Sequence, residues 1–114
     1  MVSSARVRVA KYEGIRGGTQ LSRVGDDAWL GIGHQMKFLN SKKYYWHVFY
    51  LVDSRGHMTA TSEPMKLAPN GIEFAAGLAI DGDRAVISFG VDDMKCRLGE
   101  TSLAAVMEVL QPRA

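Results

Sequence analysis

Glu73 stands inside an otherwise apolar stretch, Ile72-Glu73-Phe74-Ala75-Ala76-Gly77-Leu78. A carboxylate there must face solvent or find a partner, because a buried unpaired charge is costly. Facing a cleft, it becomes an acceptor for sugar hydroxyls or an acid. Asp92 and Asp93 follow Phe89-Gly90-Val91, where one of them either projects over a pocket or stabilises a turn. His34 follows Gly31-Ile32-Gly33, and a neutral imidazole at a strand end donates or accepts according to its partner. Glu73 and Asp92 in one pocket would supply a glycosidase carboxylate pair, but that chemistry needs a defined separation across the bond, which a sequence does not fix. In Tyr44-Tyr45-Trp46-His47-Val48-Phe49-Tyr50, aromatics at alternate positions form either a stacking platform for sugar rings or bases, or a strand consumed by core and subunit contact.

Other chemistries find less support. His34, His47 and His57 have neither the i, i+4 helical spacing nor the cysteine cluster of a metal site, and no cofactor is expected. Gly14 to Gly18 lacks the Lys-Ser/Thr ending of a phosphate loop, and no nucleophile elbow is present. Cys96, between Lys95 and Arg97, has no identified base and is read as a buried structural thiol. Fourteen basic and twelve acidic side chains leave a net charge of +2 without a dense basic stripe, so no nucleic-acid partner is expected, and Lys42-Lys43 reads as a solvated turn. No apolar run approaches the roughly 18 residues of a membrane span. Met1 to Val7 lacks a signal-peptide core, Arg6 and Arg8 interrupt that region, and the single cysteine suits a reducing compartment, so the expected location is cytoplasmic.

The elements that must position these residues are strands. With 114 residues, 46% of them apolar, the chain is expected to form a single domain over 1–114. Period-two alternation predicts an edge strand around Ala5, Val7 and Val9, then a hairpin from Thr19–Val24 and Ala28–Phe38 across Gly25-Asp26-Asp27. After a polar break over Leu39–Lys43, strands Tyr44–Asp53 and His57–Leu67 form a second hairpin, with Pro64 marking an edge. Ile72–Ile80 and Ala85–Phe89 form a third across Asp81-Gly82-Asp83. Leu103, Val106, Met107 and Leu110 fall at helical spacing behind a Thr101 or Ser102 cap, and Pro112 stops the helix. Gly25-Asp26-Asp27-Ala28 running to Gly33 is echoed by Gly82-Asp83-Arg84-Ala85 running to Gly90, so one hairpin is either built twice or matched by chance.

Three segments resemble the C-terminal blades of the five-bladed β-propeller of glycoside hydrolase family 130, the mannoside phosphorylases and hydrolases. They are Gly17-Gly18-Thr19-Gln20, then Asp27-Ala28-Trp29-Leu30-Gly31-Ile32-Gly33-His34, then Gly71 to Leu78 continuing to Ile87-Ser88-Phe89-Gly90-Val91-Asp92-Asp93. Their counterparts in that family are a small-residue inner strand, an aromatic strand ending in a Tyr-His-Gly-like turn, and a Phe-x-x-Gly strand followed by a Tyr-Gly-x-x-Asp turn. Similar segments occur attached to glycosyltransferase-like proteins. The resemblance spans roughly residues 14 to 110. It implies a mainly β fold of antiparallel meander hairpins, about two propeller-like blades, with one short C-terminal α-helix. His34 matches the family histidine that contacts phosphate or sugar, and Arg16 and Gln20 would line the same inner edge as Glu73 and Asp92. The family's catalytic acid and most of its phosphate-binding basic residues lie in preceding blades without counterpart here. The implied function is a non-catalytic, carbohydrate-related accessory or binding domain taking a sugar or phosphate ligand. The alternatives are a glycoside-processing enzyme with a composite interface site and a purely structural or protein-interaction module. Two blades leave open strand edges, so a homodimer or higher oligomer is expected.

Overall fold

In the computed structural model the described residues are 15, 17–67, 73–92 and 95–112; the expected strand around Val7 and the candidate Arg16 lie outside them. The chain is mainly β. Strand β1 (Ser22–Gly25) turns through Asp26-Asp27 into β2 (Ala28–Leu39), which turns into β3 (Lys42–Val52). That second turn is only Asn40-Ser41, both left-handed at φ 51° and 65°, the geometry that matches the twist of a two-residue hairpin. The break expected over Leu39–Lys43 is therefore shorter, and β2 and β3 pair without interruption from Trp29↔Val52 to Leu39↔Lys42. The next turn is held by Asp53, whose Oδ1 accepts the amides of Arg55 and His57, each at 2.9 Å.

β4 spans only Met58–Thr61, shorter than the expected His57–Leu67. Ser62 Oγ takes the Phe49 amide at 2.9 Å, a ladder position that backbone would otherwise fill, and Pro64 has no N–H to give. Regular pairing returns only as an isolated bridge of Met65 with His47. The second sheet is β5 (Glu73–Asp81), β6 (Arg84–Val91) and β7 (Lys95–Ser102) in that order; the first is β1-β2-β3-β4 extended by β8 (Gln111–Pro112). β7 had no counterpart in the sequence reading, because most of its residues are exposed and carry no alternation; Cys96, expected to be buried, is exposed on this edge strand.

Helix α1 (Leu103–Val109) follows β7 directly. Ser102 is its cap, its Oγ accepting the Ala105 amide at 3.0 Å, while Asp83 takes the Leu103 amide on its carbonyl at 2.7 Å and the Ala104 amide on Oδ1 at 3.0 Å. The β5–β6 turn thus anchors the helix start. Beyond the helix, Pro112 pairs opposite Ala60 at the sheet edge. No helix of the described residues is long and apolar enough to cross a membrane.

The core lies between the sheets, where Leu30, Ile32 and Phe49 meet Leu78, Ile87, Phe89 and the helix residue Val106. The two echoed segments agree in strand phase: Ala85, Ile87 and Phe89 are buried, as are Leu30 and Ile32 after Ala28. Their turns differ, since Asp26-Asp27 forms the first whereas Gly82-Asp83, with Gly82 at φ 58°, forms the second.

Before the regular pairing of β1 begins, Thr19 docks on β2, its amide on the Ile32 carbonyl at 3.0 Å and its Oγ1 accepting the Ile32 amide at 2.9 Å. On the reverse of β2, the Tyr50 ring covers Gly31, so a Cβ at Gly31 would lie 2.7 Å from ring carbon and hydroxyl oxygen. Burial of that ring also pushes the Tyr50 phenol pKa upward. Gly31→Ala must displace the ring or the strand, and urea unfolding is expected to show a loss of about 1–3 kcal/mol.

Candidate functional site

The free edge of β5 faces the first sheet, and side chains meet it. Ser22 Oγ donates to the Leu78 carbonyl at 3.2 Å, and Gln20 Nε2 donates to the same oxygen. The Ala75 amide donates to His47 Nε2 at 2.9 Å. Gln20, expected on a ligand-lining edge, is thus a cross-sheet tie in this structure.

His47 is the centre of this arrangement. It is 1% exposed. Its backbone exchanges two 2.8 Å hydrogen bonds with Met65. Because Nε2 accepts the Ala75 amide, a neutral ring carries its proton on Nδ1, which lies 3.7 Å from Glu73 Oε1. That spacing is beyond hydrogen-bond length but within electrostatic reach. Glu73 is fully buried and also accepts the Leu67 amide. One buried carboxylate and one buried imidazole therefore tie together β3, the strap leading through Met65 to Leu67, and β5.

His34 sits directly opposite His47 in the β2–β3 register. It is buried among rings: the Phe74 ring is 4.6 Å away, tilted by 55°, and Tyr45 meets it edge-on at 5.1 Å. Tyr45 and Phe74 also meet edge to face at 5.5 Å. Phe74 remains 41% exposed, so this three-ring cluster opens to solvent through a phenyl ring.

Asp92 is exposed and left-handed at φ 54°, one residue beyond Val91, the register partner of Glu73. The structure thus brings His34, Glu73 and Asp92 to one end of β5 and β6 but divides them between faces. Glu73 points into the core, Phe74 points outward beside His34, and Asp92 occupies the β6–β7 connection. Phe74 was not singled out from sequence; Tyr45 was read only within the aromatic run Tyr44 to Tyr50, and His47 within that run and as a metal ligand. The available signal was parity: Tyr45, His47 and Phe49 share one face of β3, and Phe49 is core. Among the described residues, no group of His, Cys, Asp and Glu is placed to hold a metal ion.

A separate apolar cleft of about 330 Å³ lies between the sheets and α1, walled by Phe49, Met65, Leu67, Ile87, Phe89 and Val106. None of His34, Glu73, Asp92 and Gln20 lines it. No family model, curated protein or solved structure matches this chain.

Burial lowers the His47 pKa from 6.5 to about 4, with the neighbouring His34 and Lys66 adding to the effect. The amide donor at Nε2 acts in the same direction, since a protonated ring would turn N–H against N–H. The unfolded imidazole binds its proton near pH 6.5, whereas the folded one resists until about 4. The stabilisation is therefore complete above pH 6.5 and is lost as pH falls towards 4. The loss should reach about 3 kcal/mol. His47→Gln keeps an acceptor for Ala75 but does not titrate, so its urea-unfolding free energy is expected to vary much less across that window.

Proposed function

We propose that this chain is a non-catalytic carbohydrate-binding accessory domain of the cytoplasm, with Phe74 as the sugar platform and His34 and Tyr45 as its brace. The observation that carries the reading is the half-exposed Phe74 ring, held edge-to-face by the half-buried Tyr45 and tilted against the buried His34. A rigid aromatic face offers apolar contact to the C–H face of a pyranose at little cost in side-chain entropy. The floor beside it is low: Phe74 pairs with Gly90 on β6, and Gly77 with Ser88. The resemblance of the blade segments to mannoside-processing proteins supports a sugar rather than another flat ligand, as does a sequence without a dense basic stripe for a phosphate backbone. The engagement of Glu73 with His47 and the Leu67 amide supports a binding role over acid catalysis.

Calorimetric or NMR titration with mannose and β-mannobiose tests the proposal. Phe74→Ala should weaken binding by roughly tenfold, about 1.4 kcal/mol for a lost ring face, with an unchanged circular dichroism spectrum. Sugar binding that is undetectable in the wild type, or equally strong in Phe74→Ala, overturns the assignment.

A further inference from the structure

The two sheets close against each other on one side only. β5 approaches β1, β2 and β3, whereas β6 and β7 make no comparable approach to the first sheet, so the layers part towards β7. Helix α1 walls the opening through Ala105, Val106 and Val109, and between it and the sheets lies the apolar cleft of about 330 Å³. That volume falls within the roughly 300–1,000 Å³ of small-molecule sites. It is well above the roughly 150 Å³ of an apolar cavity that stays dry and takes up benzene. Two small residues keep it open: Gly99 on β7, where a Cβ would come within 3.4 Å of the Phe89 ring, and Ala105 on the helix.

The charges beside the cleft select its ligand. Arg97 and Lys95 stand opposite Phe89 and Val91 in the register, on the face of β7 that Gly99 shares, and both are exposed. Among the described residues neither enters an ion pair. Lys66, on the opposite wall, has its ammonium 5.8 Å from the centre of the Trp46 ring. Glu100, the acidic residue of the lining, is already held by Arg84 at 2.6 Å. An apolar slot with a net positive rim is complementary to a hydrocarbon chain that ends in an anion. We infer that the cleft binds a fatty acid of medium length, its acyl chain between the sheets and α1 and its carboxylate on Arg97. A guanidinium presents paired donors to the two oxygens of such a head group. The site is separate from the Phe74 platform, since none of Phe74, His34 and Tyr45 lines the cleft.

Isothermal titration calorimetry with hexanoate, octanoate and decanoate should show affinity rising about fourfold for each added methylene. Ala105→Phe, at an exposed helix position, places a ring in the cleft and should abolish decanoate binding with the wild-type circular dichroism spectrum retained. Arg97→Gln should weaken decanoate about fivefold, the upper range for an exposed ion pair, and leave the binding of decanol unchanged. Decanoate that fails to bind the wild type, or that binds Ala105→Phe equally well, overturns the inference. So does an Arg97→Gln protein that keeps the wild-type affinity for decanoate or loses affinity for decanol to the same extent.

Discussion

An open strand edge facing the interior is the constraint from which the rest of the structure follows. β5 pairs with β6 on one side and on the other confronts the first sheet, whose strands are not placed to continue its ladder. Backbone donors and acceptors along that edge would be buried without partners, a cost of about 1–3 kcal/mol for each group. Side chains take the place of a strand. Gln20 and Ser22 satisfy the Leu78 carbonyl and His47 satisfies the Ala75 amide. A histidine suits the second task, because it alone among aromatic side chains combines a ring that packs in a core with a nitrogen lone pair that accepts.

Glu73 and Phe74 show how one strand serves stability and surface together. Successive side chains on a strand point to opposite faces, so the residue that locks β5 to the strap at Leu67 is followed by the residue that opens the aromatic cluster to solvent. The bulge between Ala75 and Gly77 then restores Leu78 to the core. Without that extra residue the inward phase set by Glu73 and Ala75 would place Leu78 on the outer face.

The hairpins were legible because their signals are local: Asp-rich or Gly-containing turns between alternating apolar runs mark β1–β2, β3–β4 and β5–β6, and the amphipathic spacing with its Ser102 cap marks α1. β7 was not legible, since an edge strand exposed on both faces has no burial to impose alternation. The boundary of β4 was missed because Ser62 takes the Phe49 amide on its side chain while its own amide still donates to the Phe49 carbonyl, which interrupts the regular ladder without a turn residue. As for the site, a buried carboxylate in an apolar strand was correctly seen to need a partner. Its hydrogen-bond donor is the nearby Leu67 amide, whereas the approach of His47, distant by 26 residues in sequence, is a product of sheet packing that no local pattern encodes.

The same packing determines what the exposed ring can do. Phe74 precedes Ala75, whose amide is held by His47, and it leans on His34, which faces His47 across β2 and β3. The ring therefore sits on strand β5 beside the inter-sheet contact rather than on a loop, and its position is set by a buried hydrogen bond and two neighbouring rings. A ring held in this way has little side-chain freedom left to lose. The arrangement also couples the position of the ring to the charge of one imidazole. A proton on His47 turns the acceptor for Ala75 into a donor, so the bond beside Phe74 is lost when that ring is charged.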